Sequence, residues 1–269
     1  MAPDRIAVVS DVHGNVTAYE AVLADITDRG IDVVVNLGDV AGKGPRGSHA
    51  VALTRQRCAA TVRGNWEGYL TAEDPPRNPA LHWWRSELTE ADKEWLGALP
   101  AVIDLELSGR GVRLLHASAV DEFTRVRHDH SDEEFAGMFA STPFTRDREV
   151  LGSGPGDVGG FSPTVVVYGD IHDAYLEVRS GRTLVNAGSV GNPLDGDTAA
   201  SYVILEGRFD ATDAPVAPVG IQFVRVPYDI EAEIAVAREL DMPDWEPYAI
   251  ELRTGVYRGL HAQLGLTVE

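Results

Sequence analysis

The chain has 269 residues, which at roughly 150 per domain allows one or two domains and favours one with an excursion. Its 44% hydrophobic content supplies a substantial core, which excludes disorder along the whole chain. With 23 Lys and Arg against 42 Asp and Glu, the net charge of -19 repels polyanions, so a general nucleic-acid binder is not expected.

The N-terminus, Met1 to Ile6, lacks the basic region and the apolar stretch of a secretion signal. No run approaches the ~18 apolar residues of a membrane span. The expectation is a soluble, cytoplasmic protein without a membrane partner. The single cysteine, Cys58, forbids an intramolecular disulfide and a cysteine-based zinc knuckle.

The first apolar run, Arg5 to Ser10, ends at Asp11-Val12-His13-Gly14-Asn15. Tyr19, Val22, Leu23 and Ile26 then recur with helical spacing, Asn15 being the expected N-cap and Gly30 the stop. Val33 to Leu37 reads as a strand ending at Gly38-Asp39, and such doubly apolar strands indicate a sheet covered by helices. A helix is predicted over His49–Cys58 and a short strand over Ala60–Arg63, ending at Gly64-Asn65. The excursion near 75–100 is helical and irregular, with Thr89 and Asp92 placed as a capping box and Pro100 closing it.

Strands are predicted over Val102–Leu107 and Val112–His116, joined at Ser108-Gly109-Arg110-Gly111. An inserted loop region near 118–163 holds the acidic stretch Asp129–Phe139 and the Gly/Pro-rich loop Gly152–Pro163. Strands resume over Val165–Tyr168, Ala174–Arg179, Thr183–Asn186, Ser201–Leu205 and Ile221–Val226. Ser180-Gly181 and Glu206-Gly207 are expected to be hairpin turns. A tail near 229–269 reads as helices over Ile230–Leu240 and Glu246–Thr254 and carries no catalytic motif.

The chemistry lies where these runs stop. Asp11 with His13, Asp39, Asn65, His116, and Asp170 with His172 each end or follow an apolar strand. In α/β sheets the functional crevice lies beyond the carboxyl ends of the strands. Asp11 and His13 are two residues apart, so an extended backbone would point both side chains the same way. Carboxylate, amide and imidazole together suit divalent Mn, Fe, Zn, Co or Ni. Singly, each motif has an ordinary reading as a turn, a cap or a core histidine. Their joint occurrence in this order, each at a strand end, is what an ordinary reading does not explain.

That order resembles the calcineurin-like metallophosphoesterases. Asp11-Val12-His13, Gly38-Asp39, Gly64-Asn65, Leu115-His116 and Gly169-Asp170-Ile171-His172 are similar to the family's D-x-H, G-D, G-N-H-[DE], lone H and G-H-x-H. Asn186 to Pro193, and Gly42-Lys43-Gly44-Pro45, are similar to segments of its small bacterial phosphodiesterase branch. The resemblance covers about Arg5 to Leu205.

It implies an α/β fold, a four-layer αββα sandwich of two mixed β-sheets flanked by helices. It also implies two divalent metal ions, manganese first, with Fe, Zn, Ni or Co as alternatives. By position, Asp11, His13 and His172 would hold one metal, Asp39 would bridge, and Asn65, His116 and Asp170 would belong to the second. Asp39, Asn65 and His116 are the expected catalytic residues.

Two positions depart from the pattern. Asp170 stands where the family has His on the second metal, leaving open whether it ligates. Trp66 stands where a His assists the leaving group, and an indole N–H donates a hydrogen bond but transfers no proton at neutral pH. The acidic Glu67 then has no histidine to orient. Arg63, Lys43 and Trp66 are the expected substrate contacts. His128 and His130 fall in the inserted segment and read as a solvated loop, and Trp83-Trp84 as packing or a substrate wall.

The function implied is hydrolysis of a small phosphorylated substrate, diester or monoester, by metal-activated water. The alternatives are a protein or nucleotide phosphatase of the same fold, and a non-catalytic metal or ligand sensor with a degenerate second site.

Overall fold

The computed structural model describes residues 4–152, 161–209 and 217–268. The first layer of strands begins with β1 (Asp4–Val9), followed by α1 (Val16–Asp28), β2 (Val33–Asn36), α2 (Gly47–Arg57) and β3 (Ala60–Thr61). Then come α3 (Asn65–Thr71), α4 (Pro79–Ser86) and α5 (Glu90–Gly97). The second sheet takes β4 (Val102–Leu107), β5 (Arg110–Leu115), β6 (Arg148–Val150), β7 (Val165–Tyr168), β8 (Tyr175–Arg179) and β9 (Arg182–Asn186), with α6 (Asp132–Met138) between β5 and β6. The chain returns through β10 (Ala200–Gly207) and β11 (Gly220–Val226) to α7 (Ile230–Glu239), α8 (Trp245–Thr254) and α9 (His261–Leu264).

Two mixed sheets result, ordered β11-β10-β1-β2-β3 and β6-β4-β5-β7-β9-β8. The alternation along β1 sorts its side chains between layers. Ala7 and Val9 pack with Tyr19, Val22 and Ile26 of α1, whereas Ile6 and Val8 face Leu105, Leu114 and Val167 of the other sheet. The far face of that sheet carries Leu115, Val166 and Tyr168 against Phe135 and Met138 of α6. These contacts make the expected αββα order. A fully buried Val or Ile contributes roughly 1.5–3 kcal/mol, so the inter-sheet layer is a dominant source of cohesion.

Local signals mostly act as expected. The Asn15 side chain accepts from Ala18 N at the start of α1, and Gly30 sits at φ 65 just past its end. Thr89 and Asp92 cap α5 reciprocally. Ser108-Gly109 and Ser180-Gly181 both take positive φ at their two positions, the twist that a two-residue hairpin needs.

Glu206-Gly207 is not a turn, because Gly207 stays in β10 and pairs with Asp4 of β1. The segment near 118–163 is more than a loop: it contains α6 and the edge strand β6, which pairs with β4. Part of the expected Gly152–Pro163 loop, residues 153–160, lies outside the described residues. Inside the second sheet, the buried Arg113 binds Asp104 through two bonds of 2.8 and 2.9 Å, in register across β4 and β5.

The tail packs on the sandwich through α7 and α8. Glu233 of α7 is buried, accepts from Thr17 Oγ1 at 2.7 Å and pairs with Arg46. Among the described residues no helix is long and apolar enough to cross a membrane.

Candidate active site

Both sheets deliver polar residues to one edge. Asp11 and His13 follow β1, Asp39 follows β2, Asn65 opens α3, His116 follows β5, and Asp170 and His172 follow β7. All are buried.

The backbone reaches this convergence by a different route from the extended one expected. Asp11, His13, Asp39, Asp170 and His172 take φ values of 54, 52, 54, 64 and 60, in the left-handed region. Such positions cost on the order of 1–3 kcal/mol each and persist where the surroundings over-determine them. Here the loops after β1 and β2 are laced together: Asp11 N donates to Gly38 O at 3.0 Å, and His13 N to Asp39 O at 2.8 Å. The loop after β9 braces them from the other side, with Ser189 Oγ donating to Asp11 O at 2.8 Å and Gly191 N at 2.9 Å. Gly64 is required by close approach, since a Cβ there would lie 2.3 Å from Asp39 Oδ1.

Among the described residues, two donor sets each gather within 4.8 Å: Asp11 with His13 and His172, and Asp11 with Asp39 and His116. They share Asp11, and Asp39 spans them as well. Its Oδ2 lies 3.5 Å from His13 Nε2 and its Oδ1 lies 3.5 Å from His116 Nε2.

The hydrogen bonds leave several of the atoms facing the centre unused. His116 Nδ1 donates to Leu37 O at 2.8 Å and His172 Nδ1 to Asn192 O at 2.5 Å, which turns each Nε2 inward. Asp11 Oδ2 accepts from Ser10 Oγ and Asp170 N, while its Oδ1 has no hydrogen-bond partner. Asn65 Oδ1 and His116 Nε2 are likewise buried without one. His13 Nε2 and His172 Nε2 stand 3.1 Å apart. Orphaned, converging donors of this kind suit a divalent cation.

The electrostatics agree. Burial, with Lys43 and His172 nearby, holds His13 well below its usual pKa, so its imidazole is neutral and able to ligate. Burial opposes the charge on Asp11, but the His172 and His116 imidazoles and the Ser10 hydroxyl outweigh it and keep the carboxyl below its usual range. Burial also opposes protonation of His116; Asp39, Asp11 and Asp170 overcome it and raise that pKa, the response of a site rich in uncompensated negative charge.

Asp170 lies at the edge of the second donor set, its Oδ1 4.0 Å from His116 Nε2 and 3.3 Å from Asn65 Nδ2. It is also gripped by Arg125, with Nε to Oδ2 at 2.8 Å and Nη2 to Oδ1 at 2.7 Å. Sequence reasoning gives Arg125 no role. A bidentate pair across 45 positions leaves no local trace in a sequence.

Of the expected substrate contacts, Lys43 reaches the site, its Nζ 3.3 Å from His172 Nε2. Burial lowers its pKa while Glu251, Asp39 and Asp11 act against that shift. Trp66 also lies there, edge-on to His13 at 5.8 Å, and its backbone N–H donates to Asp39 Oδ1 at 2.8 Å. Arg63 is not brought to the cluster: it binds Glu122 and, just past α5, the Leu99 carbonyl, each at 3.0 Å.

His128 is exposed as expected and faces Asp173 at 3.4 Å, but the His130 side chain is buried rather than solvated, 2.9 Å from Glu177 and stacked near Phe135 of α6. Trp84 is core, packed edge-on to Trp66 at 5.2 Å.

Glu67 has a role that sequence reasoning missed. Its carboxylate accepts from Asp39 N at 2.8 Å, Val40 N at 2.8 Å and Gly64 N at 2.7 Å, clamping the two loops that carry Asp39 and Asn65. Burial and the adjacent Asp39 push its carboxyl up to about 7.

Comparisons with known proteins agree with this geometry. Residues 5–139 match the profile of the calcineurin-like phosphoesterase superfamily domain. An uncharacterized protein of Methanocaldococcus jannaschii is 29% identical over 263 residues, covering 91% of this chain and 96% of its own. The crystal structure of a metallophosphoesterase from Sphaerobacter thermophilus is similar at a TM-score of 0.68 and 26% identity, over 94% of this chain and all of that one. A hypothetical protein from Pyrococcus horikoshii shares the fold at a TM-score of 0.69 and 16% identity, over 94% of this chain and 99% of its own. The motifs, the two-sheet sandwich and these matches together place the chain in the calcineurin-like phosphoesterase superfamily.

Proposed function

We propose that the chain hydrolyses a small phosphorylated substrate, a phosphodiester or phosphomonoester, at a centre holding two divalent cations. The observation that carries this reading is the pair of converging donor sets astride Asp39, with Asp11 Oδ1, His116 Nε2 and Asn65 Oδ1 left without hydrogen-bond partners, inside a superfamily whose members are metal-dependent phosphoesterases. Asp11, His13 and His172 would hold one cation; Asn65 and His116, with Asp170 at the edge, would hold the other; Asp39 would bridge. When bound, two such cations supply Lewis-acid activation of water and neutralise phosphoryl oxygens during in-line attack.

The chain's own groups do the positioning. The Leu37 and Asn192 carbonyls fix the His116 and His172 rings with Nε2 inward. Glu67 holds the Asp39 and Asn65 loops in one register, and Ser10 restrains one oxygen of Asp11. Lys43 places a cationic head against the cluster, where it attracts a phosphate despite the net charge of -19. Trp66 packs edge-on against His13 and offers no proton to a departing oxygen.

The Arg125 grip on Asp170 favours the sensor as the second reading, since it already neutralises a carboxylate of the second site. Turnover of bis(4-nitrophenyl) phosphate separates the two. Metal-stripped protein reloaded with Mn2+ should release nitrophenol, and chelator should abolish the release. Stoichiometric binding of Mn2+, Fe2+, Co2+, Ni2+ or Zn2+ without turnover would refute the catalytic reading in favour of the sensor.

A further inference from the structure

Beside the donor sets lies a cavity of about 540 Å³, within the ~300–1,000 Å³ range of small-molecule sites. Asp170, His172 and Lys43 line it as well as the cluster, so the two spaces are continuous. Its far wall comes from the tail that carries no catalytic motif. Tyr257, Leu260 and Leu264 line it while 54%, 45% and 56% exposed. Large apolar side chains left open on one short segment mark a surface made to be covered.

This wall is anchored. Arg258 binds Glu251 through its backbone N–H, Nε and Nη2 at 2.9, 2.9 and 2.8 Å, and Gly196 N donates to Gly255 O at 3.1 Å. Glu251 is in turn 3.5 Å from Nδ2 of Asn192, whose carbonyl orients His172. The wall and the donor set therefore share one framework. The same cavity carries charge of both signs: Lys43 and Arg127 line it together with the Arg125–Asp170 pair and Asp173.

We propose that this cavity seats a ring-bearing substituent of the substrate, planar and largely apolar, linked to the phosphate held at the donor sets. An aromatic and two aliphatic side chains sharing a cavity with Lys43 and Arg127 match an amphipathic ligand with one ring and one anionic group. The occupant is thus the nucleoside or aryl portion of a phosphoester. A methyl or glyceryl portion would leave the wall exposed to water. This deepens the phosphoesterase reading and rests on it.

The test compares three diesters with the same 4-nitrophenol leaving group, in the Mn2+-loaded full chain: the methyl, the phenyl and the 5′-thymidyl ester. The phenyl and thymidyl arms tell an aryl from a nucleoside occupant. Wild type should prefer at least one ring-bearing ester to the methyl ester by about tenfold or more in kcat/KM. The exposed-wall variant Tyr257→Ala/Leu260→Ala should bring that ratio close to one, mainly through KM. Equal rates on all three esters in wild type, or a preference unchanged in the variant, would overturn the proposal.

Calorimetric binding of adenosine 5′-monophosphate, phenyl phosphate and inorganic phosphate keeps the two readings apart. Tail-dependent binding of a ring-bearing monoester by a protein that turns over no ester would sink the phosphoesterase reading and keep the seat. Turnover with ring-bearing monoesters bound no better than inorganic phosphate would do the reverse.

Discussion

Replacing Arg125 with alanine is expected to destabilise the metal-free protein and to tighten its grip on a second cation. Asp170 has a side chain only 1% exposed, and its strongest partners are the two guanidinium bonds of 2.8 and 2.7 Å. Removing one member of a buried pair costs roughly 3–5 kcal/mol. Arg125 is 44% exposed, so solvent screens part of that cost and about 2 kcal/mol remains. In chelator the variant should therefore melt roughly 4–8 °C below wild type.

A cation seated beside Asp170 in the variant no longer competes with arginine. The same ~2 kcal/mol should then appear as about 30-fold tighter binding. At a Mn2+ concentration of ~100 times the wild-type Kd, the ion stabilises wild type by about 2.7 kcal/mol and the variant by about 4.7 kcal/mol. The deficit in melting temperature should thus nearly vanish in Mn2+. Thermal unfolding with and without Mn2+, alongside a titration, gives both numbers. An equal deficit in chelator and in Mn2+ would mean that Asp170 does not face the ion, and the reasoning would fail.

Asp170→His should restore the imidazole that the superfamily pattern places there, and free Arg125. The second Mn2+ should then bind more tightly on titration, and an unchanged affinity would remove Asp170 from the ligand set. Trp66 supplies no general acid, a contribution worth about 10²–10⁴-fold elsewhere, so wild-type rates should fall steeply as leaving-group pKa rises across substituted phenyl esters. A shallow slope would reveal another proton donor, and Trp66→His should flatten the slope if its ring reaches the departing oxygen.

The layers and the gathering of the polar motifs at one edge were legible because each motif ends an apolar run, and burial of the run fixes where the motif emerges. Asp11 and His13 do meet at one edge, but not through the extended backbone expected of them. Their side chains converge through left-handed backbone set by bonds to Gly38 and Asp39, and no pattern of period two encodes such pairing. Arg125 was illegible because its partner is distant in sequence, and its exposure hides the buried carboxylate it neutralises. Arg63 misled by adjacency: it directly precedes Gly64-Asn65, but its guanidinium turns to Glu122.

The tail failed as a signal for another reason. Tyr257 to Leu264 has too few turns for helical periodicity to register, and it forms a wall only because Arg258 and Gly255 tie it to the body. Glu67 was discounted for want of a histidine, when three backbone N–H groups were its partners.

The central claim is a centre of two cations sharing Asp39, and metal stoichiometry at equilibrium tests it most directly. Dialysis against Mn2+ followed by elemental analysis should find two ions per wild-type chain. Asp39→Asn, which removes the charge between His13 and His116 while keeping the side chain's shape, should retain one ion or none and lose nearly all turnover. A wild-type complement of metal together with wild-type turnover in Asp39→Asn would contradict the account.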